Sequence, residues 1–306
     1  MKCAIIDVGS NTIRLSVYQT EGENFRQLFT SKETAGLASY IEHEQMSKEG
    51  IACAAKILNK FHSILQQFEI DRTDVFATAS LRNIENSREA VKELFRETGY
   101  DIHVISGHQE ALCDFYGVTY HLDTHKGMIF DVGGGSTELV LFDHKKPSAI
   151  ESVKIGSLNL YNKYVSKIIP KPQEIEEMEA RANEELDSKL SCKIISKQKL
   201  GKNLIGVGGT IRAVLKLVNS YYQLDSENRI ITSEQLDEIF ELAQSKKKTM
   251  QTLILKICPE RIHTIIPGMV IIRTMVHKIS CDKIVVSKYG VREGYLYCNV
   301  LSQNNQ

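Results

Sequence analysis

No stretch of this chain stays apolar for the roughly 18 residues that a membrane-spanning helix requires, so nothing in the sequence is expected to cross a bilayer. The opening Met1-Lys2-Cys3-Ala4-Ile5-Ile6-Asp7 is too short and too soon charged for a secretion signal and reads as a first strand. A cytoplasmic protein is therefore expected. There is no low-complexity tract, and 42% hydrophobic with 25% charged residues excludes the disordered and fibrous classes. The seven cysteines contain no C-x-x-C pair and are odd in number, which argues against a disulfide framework and a zinc site. They read as small buried apolar residues. Net charge is lacking too. With 38 basic and 38 acidic residues the formal charge is zero, which speaks against a general nucleic-acid coat.

What the chain does have is an internal repeat. Ala4-Ile-Ile-Asp-Val-Gly-Ser-Asn-Thr-Ile-Arg-Leu-Ser-Val-Tyr18 returns as Met128-Ile-Phe-Asp-Val-Gly-Gly-Gly-Ser-Thr-Glu-Leu-Val-Leu-Phe142, with Asp7 on Asp131 at an offset of 124 residues. Each copy has the pattern of a strand, a small Gly-rich turn and a second strand. Such a turn lets the backbone approach a ligand closely, and its successive amides, joined by Ser and Thr hydroxyls, can form an anion nest. An Asp at the end of the entering strand is placed to hold a hard cation beside a phosphate. Two copies in one chain of 306 residues imply two related domains, 1–122 and 123–306, facing each other across a phosphate-binding cleft. The C-terminal helix is free to pack back on the first of them.

Taken in order, Ser47 caps an expected helix with an apolar stripe of Ile51, Ala54, Leu58, Phe61, Leu65 and Phe68. Val75 to Ala79 reads as a strand, which places Arg82 at a strand end, where α/β sheets bind ligands. A helix from about Ser87 to Arg96 stops at Gly99, and Ile102 to Ile105 forms the next strand. Ser106 and Gln109 have capping-box spacing, which leaves Glu110 unneeded for capping in the first turn of a helix that starts near the cleft. Beside the phosphate turns, Glu110 is a candidate general base. Further on, Asn203 to Val207 reads as a strand, and Gly208, Gly209 and Thr210 open a helix whose start is another place for a phosphate oxygen. A last strand, Lys283 to Ser287, precedes a short helix over about Glu293 to Leu301. Charge is segregated in the second half. Glu174 to Asp187 carries seven acids, while Ser188 to Leu224 carries seven basic residues and no acid, which suggests a local track for a polyanion.

These motifs, from Asp7-Val-Gly-Ser-Asn-Thr-Ile-Arg-Leu15 through Ala77-Thr-Ala-Ser-Leu-Arg82, Ile105-Ser-Gly-His-Gln-Glu-Ala111, Asp131 to Glu138 and Gly206-Val-Gly-Gly-Thr210 to Ser287–Gly294, run in one order along nearly the whole chain. In that order they resemble the Ppx/GppA phosphatases, exopolyphosphatases and guanosine pentaphosphate phosphatases. The resemblance implies an α/β, actin-like (ribonuclease H-like) duplicated fold. It makes Glu110 the catalytic glutamate, Asp131 and Glu138 the metal and water site with Asp7 opposite, and Mg²⁺ or another divalent cation the cofactor. Ser10, Asn11, Gly133, Gly134, Gly135 and Ser136 become phosphate loops, and Arg82 a phosphate contact. Gln109 stands where the family has a second glutamate, and the further C-terminal helical domain of some members is absent, as in the short form. The implied reaction is attack of water on a terminal phosphoryl group. Polyphosphate and guanosine pentaphosphate both present that phosphoanhydride, and the motifs do not separate them. An exopolyphosphatase is the first expectation. A kinase of this fold would need a second-substrate pocket for which the sequence shows nothing, and a non-catalytic sensor would not need Glu110 and Asp131. No nucleic acid or membrane partner is expected, and a homodimer is left open.

Overall fold

The computed structural model describes residues 1–22, 24–190 and 204–301. In the first half, β1 (Lys2–Val8) turns back through β2 (Thr12–Glu21) into β3 (Asn24–Thr34), and a small ribbon of β4 (Ile41–Glu42) and β5 (Gln45–Met46) leads to α1 (Lys48–Leu65). Then come β6 (Arg72–Ala77), the short α2 (Ala79–Arg82), α3 (Ser87–Thr98), β7 (Ile102–Val104) and α4 (Gly107–Thr119). The sheet order is β3-β2-β1-β6-β7, antiparallel in the hairpins and parallel from β1 through β6 to β7. The near-continuous apolar run of β1 follows from burial on both faces. Ala4, Ile6 and Val8 face one core with Leu58, Phe61 and Leu94, while Cys3 and Ile5 face another with Tyr295 and Leu296.

The second half repeats the plan. It contains β8 (Lys126–Val132), β9 (Thr137–Asp143), β10 (Lys146–Val153), α5 (Ser157–Tyr164), α6 (Pro172–Lys189), β11 (Leu204–Val207) and α7 (Gly208–Tyr221). These are followed by β12 (Ile230–Thr232), α8 (Ser233–Ser245), α9 (Lys247–Ile257), α10 (Ile265–Lys278), β13 (Lys283–Val286) and α11 (Val291–Leu296). The order is β10-β9-β8-β11-β13-β12. The repeat is exact in register: Asp7 pairs with Arg14 across the first hairpin, and Asp131 with Glu138 across the second. Each turn is closed by the same bond, Gly9 N–H to Thr12 O at 3.1 Å and Gly133 N–H to Ser136 O at 2.9 Å. Two sheets of one plan, each covered by helices, make the duplicated actin-like α/β fold.

Helix α4 lies where the two halves meet. Ala111, Phe115 and Val118 pack on Ile129, Val140 and Ile205 of the second sheet, while Cys113 joins the core beneath β1. Its start is fixed by the expected capping box: Ser106 Oγ accepts from Gln109 N–H at 3.2 Å, and Gln109 Oε1 accepts from Ser106 N–H at 2.8 Å. The last helix, α11, lies against α4 and β1 and continues into a π-helical turn over Tyr297–Leu301. The approach is so close that a Cβ on Gly294 would fall 1.7 Å from the Cys113 carbonyl oxygen. One expected core position differs. The α1 stripe is buried from Ala54 to Leu65, but Phe68 lies past the helix end, 49% exposed and against Phe29, because Gln66 caps the helix before the period reaches it.

Candidate active site

The two repeat turns line one cavity of about 120 Å³, together with Asp7, Glu110 and Asp131. Ser10, Asn11, Gly133, Gly134, Gly135, Ser136, Gly209 and Thr210 all stand in its wall. Gly208 lines an adjoining cavity, and its φ of +84° brings the chain so near Asp131 that a Cβ there would lie 2.0 Å from the carboxylate oxygen Oδ1. The donors are fewer than the turn sequence implies. Gly133 N–H is spent closing its own turn, and the Thr210 hydroxyl donates to Val132 O at 2.6 Å. Gly134, Gly135, Ser10 and Asn11 retain backbone N–H groups that bond no described residue, and the first N–H groups of α7 are free as at any helix start.

Arg82 and Glu138 are not in the cavity wall. The Arg82 guanidinium donates to Glu110 Oε2 at 2.6 Å, Ile105 O at 3.2 Å, Ser136 Oγ at 3.1 Å and Glu138 Oε1 at 3.5 Å, and so ties the first half to the second. Glu138, 2% exposed, also accepts from Ser152 Oγ at 2.9 Å. In this arrangement Glu138 anchors Arg82, and Arg82 in turn holds Glu110. The Oε1 oxygen of Glu110 is left without a partner among the described residues.

The electrostatics are those of carboxylates crowded in a dry place. Burial, with the Glu110 and Asp7 charges adding to it, pushes the Asp131 carboxyl up to about 7. Burial also raises Asp7 and Glu110, the latter against the pull of Arg82. Asp7 and Asp131 accept no hydrogen bond from a described residue. A divalent cation fits here: two bare carboxylates on equivalent strand ends offer hard oxygen ligands, and Mg²⁺ characteristically takes one or two carboxylates and completes its shell with water and substrate phosphate. Among the described residues no three acidic, His or Cys side chains form a ready-made metal cage.

Beside this cavity lies one of about 90 Å³, sharing Asp7, Thr12, Asp131, Gly209 and Arg261 and adding Arg14, Arg212 and Arg292. Burial and the neighbouring Arg292 and Arg212 charges lower Arg14 to about 10; burial lowers Arg212 and Arg261 as well. Arg292 is held by Ser16 Oγ at 2.6 Å. Asp7, Asp131 and Glu293 share this lining with the guanidinium groups, whose planar forks suit phosphate. Of the four, only Arg212 was marked in the sequence, as one of the basic residues of 188–224. Arg14 was findable, since the repeat sets it opposite Asp7 as Glu138 is set opposite Asp131.

The model of the Ppx/GppA phosphatase family matches residues 16–303. A protein of Haemophilus influenzae, provisionally named an exopolyphosphatase, is 27% identical over 298 residues, covering 96% of this chain and 90% of that one. A Fusobacterium nucleatum protein named a bifunctional 3-dehydroquinate synthase/phosphatase is 28% identical over 301 residues, covering 93% of this chain but only 44% of that protein. Among solved structures, an exopolyphosphatase from Cytophaga hutchinsonii superposes with a TM-score of 0.87 at 21% identity, covering 99% of this chain and 98% of the other, a likeness of fold. A match over almost the whole length, on a chain whose paired turns and buried carboxylates converge on one cavity, shows that this protein belongs to the Ppx/GppA phosphatase family, hydrolases of phosphoanhydride bonds.

Proposed function

We propose that the protein is a metal-dependent exopolyphosphatase that releases phosphate from the end of inorganic polyphosphate. The observation that carries this reading is Glu110: one carboxylate oxygen is held by Arg82 at 2.6 Å, and the residue stands in the wall of the cavity made by the two phosphate turns. In the proposed reaction the free N–H groups of Gly134, Gly135, Ser10 and Asn11 hold the terminal phosphoryl oxygens. Glu110 Oε1 orients a water and takes its proton as the oxygen attacks phosphorus, a contribution of roughly 10² to 10⁴ in rate. The bond to the bridging oxygen breaks in line, and the shortened chain departs toward Arg14, Arg212, Arg261 and Arg292, whose charges balance the one it gains. Asp7 and Asp131 would hold Mg²⁺, which supplies neutralisation of phosphoryl charge.

Phosphate release from polyphosphate and from guanosine pentaphosphate, measured in parallel with Mg²⁺ and with chelator, tests the proposal. Release from polyphosphate only with the cation is expected. Release confined to the nucleotide would replace polyphosphate by guanosine pentaphosphate as the substrate.

A further inference from the structure

Arg212 stands in the wall of a second cavity besides the arginine-lined one. This is a groove of about 540 Å³ along α7, whose wall is apolar at Leu215, Leu224 and Ile257, carries the cations Lys216, Arg229 and Lys256, and contains no carboxylate. Arg212 and Lys216 are four residues apart and therefore share a face of the helix. Lys216, Arg229 and Lys256 form no ion pair with any described residue, and Arg229 Nε is buried without a hydrogen-bond partner. A cation-bearing groove that shares Arg212 with the arginine cavity, with a desolvated donor left unpaired, suits an anion long enough to reach from one to the other.

We propose that this groove binds the non-reacting phosphates of a long polyphosphate chain, an inference that rests on the polyphosphate reading above. The terminal phosphoryl group sits between the turns, the next phosphates lie among the four arginines, and the chain then passes Arg212 and runs along Lys216, Arg229 and Lys256. The lining favours a repeating anion over a nucleoside. It contains no aromatic ring on which a base could stack and no carboxylate to accept from the guanine edge. The one amide in it, Asn219, is already committed: its Oδ1 accepts from Asn228 Nδ2 at 2.8 Å, and its Nδ2 donates to the Asp225 and Asn228 carbonyls at 3.4 Å.

The test is a Lys216→Glu/Lys256→Glu double variant of the full chain, both positions being exposed. Long polyphosphate, tripolyphosphate and guanosine pentaphosphate are compared by direct binding and by kcat/KM across a salt series, with Tm as the folding control. The ratio of long-chain to tripolyphosphate affinity should fall by about tenfold or more at low salt, and the log–log salt slope for long chains should flatten by about two, since each lost contact releases fewer counterions. An unchanged ratio and slope would overturn the groove. So would a loss confined to guanosine pentaphosphate, which would assign the groove to the nucleotide. Should the parent protein hydrolyse no polyphosphate, the functional reading falls, while the binding measurements on parent and variant still decide the groove by the same two outcomes.

Discussion

Removing Arg82 separates its two roles, charge and geometry. Arg82 is the only cation in hydrogen-bond contact with Glu110 among the described residues, and it also neutralises Glu138. Breaking a buried ion pair from one side costs about 3–5 kcal/mol, because the other charge stays behind in a poor solvent. Solvent still reaches 16% of the Arg82 side chain, so the lower end, about 3 kcal/mol, applies to Arg82→Gln. For a protein of this size that is a fall in Tm of roughly 5 °C or more. The kinetic consequence is more specific. Burial raises the Glu110 carboxyl and Arg82 pulls it back. Glu110 accepts a proton only when ionised, so activity falls as pH drops through its raised value, and without Arg82 that acid limb must move to still higher pH. Arg82→Lys, which keeps the charge but not the fork, should leave the limb nearer its original place and lower kcat. The assay is kcat/KM for tripolyphosphate against pH in the three proteins, with Tm recorded at each pH. An acid limb in Arg82→Gln that coincides with the parent's would refute the coupling of Arg82 to Glu110.

Three further outcomes follow from the same geometry. Glu110→Gln should keep substrate affinity within a few fold and lower turnover at least about a hundredfold, so near-parental turnover in single-turnover experiments would remove Glu110 from the mechanism. For Asp131 the unfolded chain ionises near the ordinary carboxylate value and the folded one only at about 7, so ionising it destabilises the fold progressively between those values as pH rises. Mg²⁺ should therefore raise Tm more at pH 8 than at pH 5, and Asp131→Asn should abolish the difference; an Mg²⁺ effect independent of pH in the parent would move the cation elsewhere. Asp114, on the face of α4 below Glu110, is 1% exposed with both carboxylate oxygens unpartnered. Replacing an unsatisfied buried group by an apolar one of similar shape is neutral to stabilising by about 1–3 kcal/mol, so Asp114→Leu should raise the urea midpoint, and a clear fall would mean that Asp114 has a bound partner.

What could be read in advance was whatever is local in the chain. The paired turns, the capping box of Ser106 and Gln109 and the position of Glu110 in the first turn of α4 each depend on residues within a few positions of one another. The contact of Glu138 with Arg82 was not legible, because it depends on a hairpin register and joins residues 56 positions apart in the chain. Arg261 had no signal at all. It rises from a short 3₁₀ turn, Pro259–Arg261, and reaches the site only because the chain folds over Gly209, where a Cβ would meet its Nη2 at 2.1 Å. The basic stretch was half legible. Arg212 and Lys216 lie on α7 beside the site, Lys189 pairs with Glu151 at 3.4 Å, and Lys193, Lys197, Lys199 and Lys202 lie outside the described residues.

The seating of α11 against α4 and β1 also sets an order of events. The face of the first sheet carrying Cys3, Ile5, Tyr18 and Phe76 is closed by Tyr295, Leu296, Val300 and Leu301, among the last of the described residues to be synthesised. During synthesis the first half can cover that face only in part, through Ile105 and Cys113, and it emerges with apolar sheet surface still exposed, a feature that favours aggregation. Arg292 and Glu293 ride on the same helix, with Tyr18 O–H donating to Glu293 at 2.6 Å, so the arginine cluster and the missing wall of the first sheet are completed in one step. The residues that complete the arginine cluster and those that close the first sheet therefore leave the ribosome together.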